Sequence, residues 1–148
     1  MSAVTTSIEI DAAPETVFST IMDPNRLADW VTIHRSVKVK SEDPTASGAQ
    51  MDQVLQLRGV PFTVHWTLSS VSPPHEAEWN GRGPAGSRAL IRYRLSGPDA
   101  GPTTFEYTND FSTPGGPLGN RASKLVMGGT SEREANNSLA KLKGLLEG

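Results

Sequence analysis

The segment Trp30-Val31-Thr32-Ile33-His34 sets an indole, a hydroxyl and an imidazole within five positions. An imidazole titrates near neutrality and so suits proton transfer or hydrogen bonding to a ligand. The same segment has a purely structural reading, in which Trp30 plugs the gap between a helix and a sheet, because large aromatics dominate core burial. Further along, Gln53 stands among Met51, Leu55 and Leu57, and Asn109 stands between Tyr107 and Phe111. Tyr93 and Tyr107 add two phenols. An apolar wall with a few convergent polar groups is the usual anatomy of a small-molecule site, although Gln53 and Asn109 could equally bond to backbone at a strand end or bulge.

Other patterns lead away from chemistry. Gly81-Arg82-Gly83-Pro84-Ala85-Gly86 has the glycine spacing of a dinucleotide fingerprint, but residues 89–95 alternate as a strand where that fingerprint needs a helix. It reads as a hairpin loop. His34, His65 and His75 are too scattered to form a ligand pair on a helix face, so no metal and no cofactor is expected. His65 falls on the Thr63/Thr67 side of its strand and His75 follows two prolines, which predicts solvent exposure for both. No GxSxG elbow occurs, and no catalytic residue is assigned. The Asn136-Asn137-Ser138 glycosylation pattern falls inside a helical stretch and is discarded.

The elements that must position these residues follow from periodicity. Val4, Thr6, Ile8 and Ile10 alternate with Thr5, Ser7 and Glu9, which predicts a strand with one buried face. Pro14 opens a helix whose apolar positions are Val17, Phe18 and Ile21; Asp23-Pro24 restarts the chain as a second short helix carrying Leu27 and Trp30. Alternation then returns in Val37 and Val39, in Met51 to Leu57, and in Phe62, Val64, Trp66 and Leu68. Strands are also predicted over 76–80, which carries Trp79, over 89–95 and over 103–111. After Pro114-Gly115-Gly116-Pro117 the period becomes helical, with Leu118, Ala122, Leu125, Gly129, Ala135, Leu139, Leu142 and Leu146 near one stripe. Continuous to the end, that helix would run roughly 45 Å at about 1.5 Å per residue. Gly128-Gly129 weakens it by roughly 1 kcal/mol per glycine, so the pair either widens a cavity or allows close packing against an aromatic.

Strand, two short helices, six strands and a long helix define an α+β class with the helices segregated to one side of an antiparallel meander. A twisted sheet of about seven strands curls, and one helix cannot fill its trough, which predicts a cavity. The expected ligand-binding residues are Trp30, His34, Gln53, Leu55, Val64, Trp66, Trp79, Tyr93, Tyr107, Asn109, Phe111, Leu125 and Gly129.

Totals set the limits. The 148 residues fit one domain, 1–148, and the absence of cysteine excludes disulfides and thiolate chemistry and fits a reducing cytoplasm. Residues 1–10 show no signal-peptide pattern, and no run reaches membrane-spanning length, so stable membrane insertion is not expected. A formal charge of −2 with intermixed signs argues against nucleic acid.

The opening strand leading into Ala12-Ala13-Pro14-Glu15-Thr16-Val17-Phe18, then Asp23-Pro24 through Trp30, and the long final helix make the whole chain resemble the SRPBCC superfamily, also called START-like or birch-pollen-allergen-like. Within it the likeness is to the bacterial polyketide cyclase/dehydrase and lipid-transport group. Trp30 to His34, the Gly59-Val60-Pro61 turn and Trp66-Thr67 are similar to actinobacterial members, some of them described as the toxin of a toxin-antitoxin pair. The resemblance implies a helix-grip fold, a curved antiparallel sheet around a long C-terminal helix, with an elongated hydrophobic cavity. It implies no activity; the cavity itself points to binding of a small hydrophobic ligand such as a lipid or polyketide-like molecule, with two alternatives: a cyclase/dehydratase acting on an apolar substrate, or the toxin of a toxin-antitoxin pair working through protein partners. A homodimer or an antitoxin-like partner stays open. The metal ligands of the ring-oxidising members are not matched here.

Overall fold

In the computed structural model, residues 2–57, 59–112 and 133–147 are described. Strand β1 (Ser2–Ile10) leads into helix α1 (Pro14–Ile21), a 3-10 turn (Pro24–Arg26) and helix α2 (Leu27–Trp30). Six strands follow: β2 (His34–Val39), β3 (Gln50–Leu57), β4 (Val60–Ser72), β5 (Glu76–Arg82), β6 (Arg88–Ser96) and β7 (Thr103–Ser112). Residues 133–147 form helix α3. This is the expected order. The second short helix is divided, because Asp23 accepts the Asn25 amide at 2.9 Å and Pro24 starts a 3-10 turn before α-geometry sets in.

The seven strands form one antiparallel sheet in the order β1-β7-β6-β5-β4-β3-β2. Each neighbour from β2 to β7 is a hairpin partner, and β1 closes on the far side of β7. Register shifts at His34/Ser36 and Leu68/Ser70 add local bend and twist to the sheet. Of the 81–86 glycine segment expected as a hairpin loop, Gly81 and Arg82 are the last residues of β5, and the β5–β6 connection begins at Gly83 and contains the short 3-10 turn Pro84–Gly86; no dinucleotide-type helix follows, since β6 does.

The core lies on one face. Met51, Leu55, Val64, Trp66, Leu68, Ala77, Trp79, Tyr93, Leu95 and Phe105 are buried along the strands, and α1 and α2 add Val17, Phe18, Ile21, Leu27 and Trp30. Helix α3 contributes Ala135, Ser138, Leu139 and Leu142, spaced three, four and seven apart as an amphipathic stripe requires. Polar bonds tie α3 to both ends of its path. The Thr6 hydroxyl donates to Asn136 Oδ1 at 2.6 Å and Lys143 Nζ to the Glu9 carbonyl at 2.7 Å, while the Thr32 amide donates to Ser138 Oγ at 3.1 Å. The expected course of the helix before residue 133 lies outside the described residues.

Gly81 explains how Trp66 fits this face. Gly81 is directly opposite Trp66 across β4 and β5, and a Cβ there would come within 2.6 Å of Val64 and 2.7 Å of the Trp66 ring. The indole lies over the space that glycine leaves.

Candidate functional site

The concave face and α3 enclose a hollow of about 80 Å³. Of the expected residues, Trp30, Gln53, Leu55, Val64 and Trp66 line it from α2, β3 and β4. Trp79, Tyr93, Tyr107, Asn109 and Phe111 complete it from β5, β6 and β7. These side chains converge because each occupies an inward position of its strand; Gln53, for instance, is opposite Val64, and Tyr93 is opposite Tyr107. Leu125 and Gly129, with its neighbour Gly128, lie outside the described residues. His34 is half-buried at the start of β2 and is not part of the wall; it reaches the hollow through Gln53.

That link has a defined polarity. Trp66 Nε1 can only donate, and it lies 2.9 Å from Gln53 Oε1, which fixes the amide oxygen toward the indole. The Gln53 amide nitrogen therefore faces His34 Nδ1 at 2.9 Å and donates to it. The imidazole must carry its proton on Nε2. Burial holds His34 below its ordinary value, and a donor already seated on Nδ1 acts in the same sense. Gln53, 5% exposed, is thus satisfied by two side chains rather than by backbone at a bulge.

The phenols form the other polar group. The Tyr93 and Tyr107 rings stack with centroids 6.0 Å apart, and Phe105 meets both edge-on at 5.6 and 6.4 Å. Asn109 Nδ2 donates to the Tyr107 hydroxyl at 3.3 Å. Burial pushes Tyr107 up to about 12 despite that donor, and pushes Tyr93 up further, with the neighbouring Tyr107 adding to the effect. Both hydroxyls stay protonated at neutral pH, so they serve as hydrogen-bond donors and not as bases. Trp30, 1% exposed, packs against Tyr93 and Phe105, so the plugging role expected for it is realised within the hollow's own wall. Its Nε1–H has no hydrogen-bond partner among the described residues.

Sequence reasoning passed over several wall residues: Leu27, Val31 and Ile33 around α2, Phe62, Ala89 and Ile91 on the strands, and Ser138 on α3. The strand members carried a usable signal, since Phe62 and Ile91 sit on the same alternating faces as Val64 and Tyr93. Ser138 carried none, because a small polar residue in a helix reads as solvent-facing. Its hydroxyl accepts the Thr32 amide, and the Thr32 hydroxyl bonds to Glu134, so these residues join the α2–β2 junction to α3. His65 is exposed as expected, but its Nδ1 lies 2.7 Å from Asp52 Oδ1.

The curved sheet, the helix across it and the enclosed aromatic hollow define a helix-grip protein. The chain belongs to the family of polyketide cyclases/dehydrases and lipid transport proteins, whose pattern it matches over residues 1–147. A START superfamily protein from Mycobacterium smegmatis superimposes with a TM-score of 0.74 at 17% identity, covering 99% of this chain and 98% of that one. Protein CV1439 from Chromobacterium violaceum gives 0.73 at 16% identity, covering 100% and 99%. Toxin Rv0910 of Mycobacterium tuberculosis is 25% identical over 91 residues, which is 62% of this chain and 63% of that protein. Among the described residues no helix is long and apolar enough to cross a membrane.

Proposed function

We propose that this protein binds a small hydrophobic molecule in the hollow between the concave sheet face and α3. The observation that carries the reading is the composition of the wall: aromatic and aliphatic side chains from five strands and α2, with the two phenol hydroxyls, Gln53, Asn109 and Ser138 as its polar points. Membership in a family of polyketide cyclases/dehydrases and lipid transport proteins supports it. Among the described residues the Trp30 N–H in the same wall has no hydrogen-bond partner, which favours a ligand that carries an acceptor oxygen, because a buried donor left unmet costs about 1–3 kcal/mol.

Size sets the ligand class. Pockets for drug-sized molecules run about 300–1,000 Å³, so a hollow of about 80 Å³ suits one ring or a short chain unless the wall parts. Binding fits better than catalysis. Among the described residues the titratable groups in the wall are protonated phenols, and a cyclase or dehydratase needs a positioned base. An NMR chemical-shift titration of the methyl-labelled protein with acetophenone, a single ring with an acceptor oxygen, tests the reading. Saturable shifts at wall residues are expected, and Ile91→Phe, which fills the hollow, should weaken binding while the chain stays folded. No saturable shifts, or equal affinity in a folded Ile91→Phe variant, would overturn the reading.

A further inference from the structure

The convex face carries a second concavity, a polar groove of about 540 Å³ bordered by Lys40, Asp52, His65, Asn80, Arg82 and Arg88. Its charge pattern is unlike the rest of its strand pair. Along β5 and β6, Glu76 is opposite Arg94 and Glu78 is opposite Arg92, and both pairs form ion pairs, at 3.6 and 2.8 Å. The last row breaks this pattern by placing Arg82 directly opposite Arg88. Like charges facing each other across strands are destabilising. Both guanidiniums are exposed, and neither has a carboxylate partner among the described residues.

The one carboxylate in the groove cannot neutralise them. Asp52 gives Oδ1 to His65 Nδ1 at 2.7 Å and Oδ2 to Lys40 Nζ at 3.0 Å, so both oxygens are engaged. Those bonds hold its carboxyl below the usual carboxylate range, His65 first and Lys40 second. His65 is in turn directly opposite Arg82 across β4 and β5. Lys40, Arg82 and Arg88 against Asp52 alone leave the groove positive in a chain whose formal charge is −2.

We infer that this groove is a binding site for a small phosphate-bearing molecule, gripped between the Arg82 and Arg88 guanidiniums with the His65 ring at its edge. Guanidiniums match phosphate oxygens in pairs, and a dianion between two of them removes the repulsion that the bare protein carries. A recessed site suits a soluble phosphate better than a membrane headgroup, which needs a projecting surface. Trp66 and Ala89 border both this groove and the hollow, but Lys40, Asp52, His65, Arg82 and Arg88 border the groove alone, so the proposal rests on groups that the hollow does not use.

An amide and arginine Nε–H NMR titration with sodium phosphate tests this, with ionic strength held constant by sodium chloride. Saturable shifts are expected at Asp52, His65, Arg82 and Arg88. Arg82→Gln combined with Arg88→Gln should weaken binding about tenfold or more, while the spectrum shows the fold intact. Arg94→Gln, which lies outside the groove, should leave it unchanged. Linear, non-saturating drift, or undiminished affinity in the double variant, would overturn the proposal. So would sedimentation with phosphatidylcholine vesicles doped with phosphatidylserine in the absence of saturable phosphate binding, which would make the groove a membrane contact instead.

Discussion

The concave and convex faces of this sheet are built by the same strands in strict alternation, yet they hold opposite kinds of chemistry. Inward positions carry Trp66, Trp79, Tyr93, Phe105 and Tyr107, with Trp66 bonded to the inward amide of Gln53 and Tyr107 to that of Asn109. Outward positions carry Asp52, His65, Glu78, Arg82, Arg88 and Arg92, whose partners are charges on neighbouring strands where they have partners. Burial decides what each face can do. Inside, desolvation raises both phenols and so keeps them protonated well past neutrality, and that face offers uncharged donors to an uncharged molecule. Outside, water screens the charges, and the same spacing yields weak ion pairs and an unneutralised arginine row.

Substitutions that break the comparison should therefore differ sharply in cost. Phe105→Ala removes a fully buried ring that contacts Trp30, Tyr93 and Tyr107, and should cost about 3–5 kcal/mol in chemical denaturation. Gly81→Ala puts a methyl into the Trp66 ring and Val64 and should cost about 1–3 kcal/mol, even though it adds only one carbon to a strand. A loss below that range would mean that Trp66 can tilt away freely. On the convex side, Arg92→Gln removes both bonds to Glu78 Oε1, at 3.2 and 2.8 Å, and should cost only about 0.2–1 kcal/mol, less at high salt.

The smallest effect sharpens the boundary between the faces. Folding lowers the affinity of His34 for a proton, so the unfolded chain protonates first, at about pH 6.5. Stability from this source is complete above that pH and is lost as pH falls through the folded value. Melting temperatures between pH 7.5 and 5 should show this slope, and His34→Gln should flatten it. An unchanged slope in that variant would place its origin elsewhere.

Fold and site were legible to different degrees, for physical reasons. Alternation marks the central strands because one face is buried there, whereas β2 has no buried face and the Val39 of its expected alternation is exposed; Pro14 and Asp23-Pro24 mark the helix starts because an amide hydrogen is dispensable there. Gln53 stood out as a polar residue among apolar ones on an inward face. Its partners did not, since a bond to His34, 19 positions earlier, depends on the pairing of β2 with β3. The same holds for Asp52 with His65 and for Arg82 with Arg88, whose significance lies in cross-strand register that a single sequence does not display. Ser138 illustrates the remaining gap, because its wall position follows from how α3 is rotated onto the sheet.

On the proposed function, the concave hollow, and not the convex face, receives the hydrophobic ligand. Isotope-filtered NMR of the labelled protein with unlabelled acetophenone, a single ring that the hollow's size suits, tests it directly, by reading which protons lie beside the probe. Cross-peaks to Val64, Ile91, the Trp66 indole and the Tyr93 ring are predicted, with none to Thr63, Thr67 or Leu90 on the opposite side of the same strands. Cross-peaks confined to Thr63, Thr67 and Leu90, with the inward side chains silent, would contradict it.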